Sequence, residues 1–447
     1  MMMKYKLFTG ICCRLYSASI MSMNVASHRH FCSSFLTDIS SPETTVTVGS
    51  QTYARDEMTN VTPHILSKVG SNLHNRKYHP LNLLKQRIRD HFYKNYVKPR
   101  GNPIFTVVDD LPPVVTIEQC FDSLLTPKDH VSRKPSDTYY VNRHHVLRTH
   151  TSAHQSDLIR MGCDQFLVIG DVYRRDTIDK SHYPVFHQCE GVRLFTEREL
   201  LISKFSEQDM EGLTVFEQGP RIPAKQAPHT QDAVVLLEAD LKWTLTRLAH
   251  DIFGKDIETQ WVDCYFPFTH PSWELEIKYK GEWLEVLGCG VMEQEILNEA
   301  GAGNKVGWAF GLGLERWAMK MYDIPDIRLF WSQDSGFLSQ FRVDDANTPI
   351  KYKPVSVHPQ CYNDISFWIP DNYTENDFYD LVRGLGSDMV EQVELIDNFT
   401  HPKKGRTSHC YRITYRHMDR AVHQEEANKI HALITEAAIN NLAVEVR

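Results

Sequence analysis

Apolar residues recur along this chain at two spacings, and the spacings separate helices from strands. Leu81, Leu84, Ile88 and Phe92 fall three or four positions apart, which predicts a helix over residues 80–96, stopped by Pro99-Arg100-Gly101. Residues 229–253 repeat that period, with Val234, Leu237, Leu241, Leu245, Leu248 and Ile252 on one stripe. Residues 166–175 and 186–195 read instead as strands of a hairpin, joined by a polar loop, 176–185, long enough to work over a sheet. Three more strands follow at 263–268, 273–279 and 283–290, with Lys280-Gly281 at one turn, and then a helix at 314–322. The last hundred residues run β-α-β-β-α-β. A strand at 364–369 precedes a helix capped by Thr374 and ending near Gly384, two strands flank the turn 401–405, and a helix at 422–440 leads to a strand at 443–446. This is the split βαβ, ferredoxin-like order. The expected organisation is a polar linker over 38–60, a large α+β unit over 61–345, a connector over 346–353 and the ferredoxin-like unit over 354–447.

Composition narrows the picture. The 447 residues are 42% hydrophobic and 24% charged, as in an ordinary globular protein, and no apolar stretch is long enough to cross a bilayer. A net charge of −8 argues against coating nucleic acid through overall charge, so any RNA face must be local. Residues 1–37 hold no Asp or Glu, while Lys4, Lys6, Arg14 and Arg29 and six serines sit among apolar residues, which is the composition of an organelle transit peptide. Ten cysteines include no C-x-x-C pair, so a zinc site is not expected and the thiols read as reduced and mostly buried.

The chemistry-bearing residues stay open when each is taken alone. Gly311-Leu312-Gly313-Leu314-Glu315-Arg316 lacks the third glycine of a dinucleotide fingerprint, and no P-loop occurs, so any nucleotide phosphates fall to side chains. Arg174 and Arg316 are the candidates, because a guanidinium fork matches phosphate oxygens; a surface salt bridge is the ordinary alternative. Arg148-Thr149-His150-Thr151-Ser152-Ala153-His154-Gln155 contains H-x-x-x-H without the glutamate of a zinc protease. Ser152 and Gln155 read as a capping box that seats His154 in a first helical turn, either a plain cap or a place for a small carboxylate. Phe266 and Phe268 share one face of a strand, as core or as a slot for an aromatic ring. In the last unit, Arg412, Thr414 and Arg416 fall on one face of a strand over an apolar underside, a solvated strand or an RNA-binding sheet.

Together these strings resemble one family, phenylalanyl-tRNA synthetase in its single-chain organellar form, from about residue 60 onward. The resemblance rests on HTSAHQ at 150–155, on Gly170-Asp171-Val172-Tyr173-Arg174-Arg175-Asp176 with Phe186-His187-Gln188 after its loop, on FPFTHPS at 266–272 and on GWAFGLGLER at 307–316. It implies a class II catalytic core with an antiparallel active-site sheet and flanking helices, an α+β fold, followed by a ferredoxin-like anticodon-binding domain. It implies that Arg174 holds the α-phosphate of ATP, with Asp176, Ser181, His182, Tyr183 and Phe186 around the nucleotide, and that Arg316 takes the γ-phosphate, with Mg2+ on the phosphates. Ser152, Ala153, His154, Gln155, Gln188 and Glu190 would bind the amino acid's polar end, with Glu285 nearby, and the side chain would lie against Phe266 and Phe268, closed by Ala309 and Phe310. Lys403, Lys404, Arg406, Arg412 and Arg416 would meet tRNA(Phe). A monomer in the mitochondrial matrix is implied, with no separate editing domain. The chain departs from the family pattern at Asp176, where a glutamate is usual, and at Val131, where proline is usual. A non-catalytic RNA-binding relative and an amide ligase on the same fold are the two other readings.

Overall fold

The computed structural model describes residues 44–202, 212–354, 358–402 and 405–447. Residues 1–37, read as a transit peptide, and Lys403 and Lys404 lie outside the described residues. The main sheet has seven strands: β1 (Thr106–Val108), β2 (Gln165–Tyr173), β3 (Val185–Thr196), β4 (Thr259–Phe266), β5 (Thr269–Tyr279), β6 (Glu282–Met292) and β7 (Lys305–Gly313), in the spatial order β1-β2-β3-β7-β6-β5-β4. Every pairing is antiparallel except that of β1 on the edge, which runs parallel to β2.

Three helices cover one face. In α1 (Pro80–Asn95) the sequence stripe becomes the packing stripe, with Leu81, Leu84, Ile88 and Phe92 fully buried, Pro80 at the first position and the His79 ring capping Leu81 N. α2 (Gln231–Phe253) starts at Thr230, whose hydroxyl accepts from Ala233 N, and ends at Gly254 with φ +103°. Its Asp240 accepts from the Trp308 indole at 2.7 Å. α3 (Leu314–Tyr322) follows β7 directly and is pinned by Trp317, whose indole donates to Val286 O at 2.7 Å. Strand alternation sends Cys189, Leu167, Ile169, Trp308, Phe310 and Leu312 to this helical face and Glu190, Val192, Phe166 and Ala309 to the other. The second face holds the functional cavity.

The C-terminal domain contains β8 (Cys361–Trp368), α4 (Glu375–Gly386), β9 (Val390–Thr400), β10 (Thr407–Tyr415), α5 (Gln424–Leu442) and β11 (Glu445–Val446), with sheet order β9-β10-β8-β11. Its core is built from Ile365, Phe367, Tyr411, Ile413 and Tyr415 under Phe378, Ala427, Ile434 and Ala438 of the helices. This is the ferredoxin-like order expected from the pattern.

Two local expectations are corrected. Residues 38–60 are not a plain linker where they are described: Thr45–Val48 and Gln51–Ala54 form a hairpin, and Val46 and Val48 enter the main core, an alternation too short to register against its polar surroundings. The loop after β2 does not simply hang over the sheet. Ile178 O accepts from Val393 N at 3.0 Å and the Ile178 side chain is buried in the C-terminal core. Beside it Arg175 pairs with Asp377 at 2.9 Å and Asp380 at 3.5 Å, and Arg383 donates to Asp176 O and Thr177 O. The loop is thereby clasped by the C-terminal domain.

Candidate active site

A cavity of about 660 Å³ lies on the open face of the sheet, between the 149–155 segment, β3, the 174–183 loop, the β4–β5 turn and strands β6 and β7. Glu190 forms its polar floor. The residue is 2% exposed, and its carboxylate accepts hydrogen bonds from Ser152 Oγ, from Gln155 Nε2 and from Thr151 Oγ1 at 3.3 Å. Among the described residues no cation stands at ion-pair distance from it. Burial pushes its carboxyl up to about 7, against the pull of those three donors. A carboxylate held at such a place without a positive partner is unusual for structure alone, since a buried charge is normally paired. Gln188, next on the same face, accepts from Thr151 N at 3.1 Å through Oε1.

The 150–155 segment differs from the capping box read in the sequence. Thr151–His154 is a short 3-10 turn followed by a helix at Gln155–Arg160, and neither start has a side-chain cap. Ser152 and Gln155 turn instead to Glu190, a stronger acceptor than any backbone partner available to them. Ala153 and His154 do not line the cavity. His154 points the other way, where its Nε2 meets Arg148 Nη1 at 2.9 Å within a buried network in which Arg148 also binds Asp171 at 2.6 Å. The histidine of the motif that does face the cavity is His150, which the sequence reading passed over. Burial, with Arg174 and His154 adding to it, holds its ring down at about 3, so it is neutral.

Phe266 and Phe268 stack at 5.7 Å with their planes 8° apart, and His150 stands 6.3 Å from Phe268. The Phe266 ring lies over Gly288, where a Cβ would come within 2.6 Å of Cζ, so glycine there makes room for one wall of the slot. Ala309 lies on the cavity face against Gly290 and Val192 in register. Phe310 does not close the pocket with its ring. One residue further along the strand, it points to the helical face, stacks on Phe92 at 5.9 Å and fills the space over Gly191. Period-2 alternation forbids both residues from facing the same cavity.

At the other end of the cavity Arg174 donates from Nε to Thr149 O at 2.9 Å, and its guanidinium covers the Phe186 ring at 5.2 Å. Arg316, in the first turn of α3, reaches Glu285 Oε2 at 3.3 Å and Glu285 O at 3.2 Å, with both side chains nearly half exposed. His182 Nδ1 stands 2.6 Å from Asp179, which raises the ring's pKa above the usual imidazole value, and Ser181 Oγ donates to the same carboxylate. Asp176 and Tyr183 also border the cavity, though the Tyr183 hydroxyl is engaged by Asp388 at 2.9 Å and its ring stacks on Trp331 at 5.6 Å.

The basic strand face is corrected. Arg412 is held by Asp364 through two bonds of 2.8 Å, Arg406 by Glu445 at 2.7 Å, and Thr414 is buried. Arg416 lies past the end of β10 and turns to the buried Glu391 at 2.5 Å, in the junction with the catalytic domain where Arg328 also sits. The strand's charge is largely neutralised within the fold.

The open-faced antiparallel sheet, with one arginine just after β2 and another from α3 over it, is the frame of a class II aminoacyl-tRNA synthetase. Residues 65–206 and 232–341 match the class II tRNA synthetase core domain (F), and residues 356–447 match the ferredoxin-fold anticodon-binding domain. A mitochondrial phenylalanine-tRNA ligase of Mus musculus is 58% identical, over 91% of this chain and 90% of the relative. The Drosophila melanogaster protein, named a probable mitochondrial phenylalanine-tRNA ligase, is 52% identical over 90% and 92%, and the Saccharomyces cerevisiae mitochondrial ligase is 37% identical over 88% and 92%. The chain belongs to the phenylalanine-tRNA ligase family.

Proposed function

We propose the following division of labour within the cavity for the family's reaction, which activates L-phenylalanine with ATP and passes it to the 3′ end of tRNA(Phe). Glu190 takes the ammonium group of phenylalanine. Its buried, cation-free carboxylate is the observation that most supports the reading, because an ammonium supplies the missing charge. Ser152 and Gln155 orient that carboxylate, and Gln188 and the neutral His150 stand beside the amino acid's polar end. The aromatic ring enters the slot made by Phe266 and Phe268, with Ala309 at its end. The hydroxyl of tyrosine would meet Ala309 and Phe268, which offer it no partner, at a cost of about 1 to 3 kcal/mol before steric crowding is added.

Phenylalanine's carboxylate then attacks the α-phosphorus in line, the bond to the bridging oxygen breaks, and pyrophosphate leaves. Arg174 neutralises the α-phosphate, and in moving to it uncovers the face of Phe186 on which adenine stacks. Arg316 releases Glu285 to hold the γ-phosphate, and His182, Ser181 and Asp176 border the nucleotide. No covalent enzyme intermediate is required. The carboxyl of Glu274 is pushed up by burial and by Glu285 and Glu276, a crowding of carboxylates that a dication relieves. The chemistry magnesium supplies when bound is neutralisation of triphosphate charge, and Glu285 is the side chain placed to hold it. In the second half-reaction the terminal ribose hydroxyl attacks the carbonyl and AMP leaves.

Residues 1–37 serve as the import segment to the mitochondrial matrix, and the single chain works as a monomer. The test is single-turnover charging: preformed phenylalanyl-adenylate on the protein is mixed with mitochondrial tRNA. Transfer to tRNA(Phe) with release of AMP is expected; adenylate that forms but passes to no tRNA would overturn the second half of the proposal.

A further inference from the structure

The β4–β5 turn, which carries Phe266 and Phe268, is gripped by a strap that precedes α2, residues 215–230. Backbone bonds close the strap on itself: Thr230 N donates to Val215 O at 3.1 Å and Glu217 N to Pro228 O at 2.9 Å, and at the tip Ile222 and Lys225 exchange bonds of 3.0 and 3.1 Å. Lys225, itself buried, pairs with Glu217 at 2.5 Å. Within the strap Gln226 is 1% exposed and uses its whole amide. Its Nε2 donates to His270 O and to Met292 O, both at 2.8 Å, and its Oε1 accepts from Gln294 N at 2.8 Å. An outside partner is needed at this point, because β5 slips register against both β4 and β6 between Thr269 and Ser272, which takes His270 and Pro271 out of the ladder.

The three backbone groups bracket a single bond. Phe268 O accepts from Glu293 N at 3.1 Å, and Gln226 ties residue 270 on one side of that bond to residues 292 and 294 on the other. Two outer contacts repeat the tie: Arg221 forks onto the Glu293 carboxylate at 2.7 and 3.0 Å, and His270 Nε2 donates to Ile222 O at 2.7 Å. Gln226 does not line the cavity. At the cavity's other end Arg174 and Arg316 are held by Thr149 and Glu285 instead.

We infer that Gln226 is a positioning residue that sets the width of the aromatic slot, and with it the preference for an unsubstituted phenyl ring. The inference rests on the reading above, in which that slot takes the side chain of phenylalanine. One wall, Phe266, is seated on Gly288 of β6, whereas the other, Phe268, is placed by the bond that the strap clamps. Two carbonyls and one N–H call for a group with two donors and one acceptor, which the glutamine amide supplies at this reach. A methionine of similar length offers no donor, so the freed carbonyls must move to find partners, and a packed interior passes that movement to Phe268. Small displacements of a positioned group are costly to catalysis and to selectivity.

The experiment measures pyrophosphate exchange with the full chain, Gln226→Met and Arg221→Met, using phenylalanine and para-chlorophenylalanine, and records melting temperatures. Arg221 is half exposed, so its variant keeps the test open if Gln226→Met does not fold. Gln226→Met is expected to raise the KM for phenylalanine about tenfold and to lower the preference for phenylalanine over the chlorinated analogue by a similar factor, with the KM for ATP within about twofold of wild type. Arg221→Met is expected to shift both in the same direction, about threefold. Ile252→Val, a core change on the helical face, is the control for lost stability and should leave the preference unchanged. Strap variants that fold and keep the wild-type preference, or that raise both KM values together in step with melting temperature, would overturn the positioning role. Ala309→Gly in the same assay separates the two readings: a preference that shifts there and not in the strap variants overturns this inference alone, and one that shifts in neither overturns the slot itself.

Discussion

Replacing Glu190 with glutamine separates the cost of the site from its use. The side chain keeps its shape, and its amide can still be satisfied, because the Ser152 and Thr151 hydroxyls can turn to accept from the new NH2 while the carbonyl accepts from Gln155. What disappears is the charge. In the native protein the carboxyl titrates near 7 instead of 4.5. Between those values the folded state binds the proton that the unfolded state has lost, so stability falls as pH rises through that window. A difference of this size corresponds to about 3 kcal/mol of destabilisation above pH 7. Glu190→Gln should therefore match the native protein near pH 5 and exceed it by up to about 3 kcal/mol near pH 8, as read from urea unfolding at the two pH values. The same change leaves the phenylalanine ammonium desolvated and unpaired, a loss of about 2 to 5 kcal/mol, or roughly 30- to 5,000-fold in kcat/KM for phenylalanine. The KM for ATP should move little. A variant whose kcat/KM for phenylalanine stays within about threefold of native, or whose stability gap is the same at both pH values, would refute the reasoning.

Three further outcomes follow from the same geometry. In pH–rate profiles of pyrophosphate exchange, kcat/KM for phenylalanine should rise with pH to a plateau above about 7 as Glu190 ionises, whereas an ascending limb near 4.5 would remove Glu190 from that role. Ala309→Gly deepens the end of the slot and should raise activation of para-halogenated phenylalanines relative to phenylalanine by about tenfold or more; an unchanged ratio would place the slot's end elsewhere. Gly288→Ala brings a methyl group within 2.6 Å of Phe266 and should raise the KM for phenylalanine about tenfold with the ATP KM unchanged, measured by the same exchange assay.

The architecture was legible because its elements are long and strongly periodic. The stripe of α1 and the βαββαβ order of the last domain each follow from one spacing rule, and the catalytic cavity follows from motifs that sit on adjacent strands. Most of the errors share a cause, which is that side-chain direction depends on partners far away in sequence. Ser152 and Gln155 carry the spacing of a capping box, yet Glu190, 35 to 38 residues further on, outcompetes the backbone for both. His150 and His154 are indistinguishable in the motif until the 3-10 turn aims one at the cavity and the other at Arg148. Phe310 could have been placed correctly from sequence, since strand alternation puts it opposite Ala309. The pairing of Arg412 with Asp364 joins strands 48 residues apart and has no local signal.

The central claim is that this cavity activates phenylalanine and rejects its hydroxylated analogue. Phenylalanine-dependent ATP–pyrophosphate exchange, run on the protein lacking residues 1–37 with tyrosine and leucine as controls, tests it most directly. The account predicts exchange with phenylalanine alone, and its collapse in Glu190→Gln. Exchange supported equally by tyrosine, or none with any amino acid from a folded protein, would contradict it.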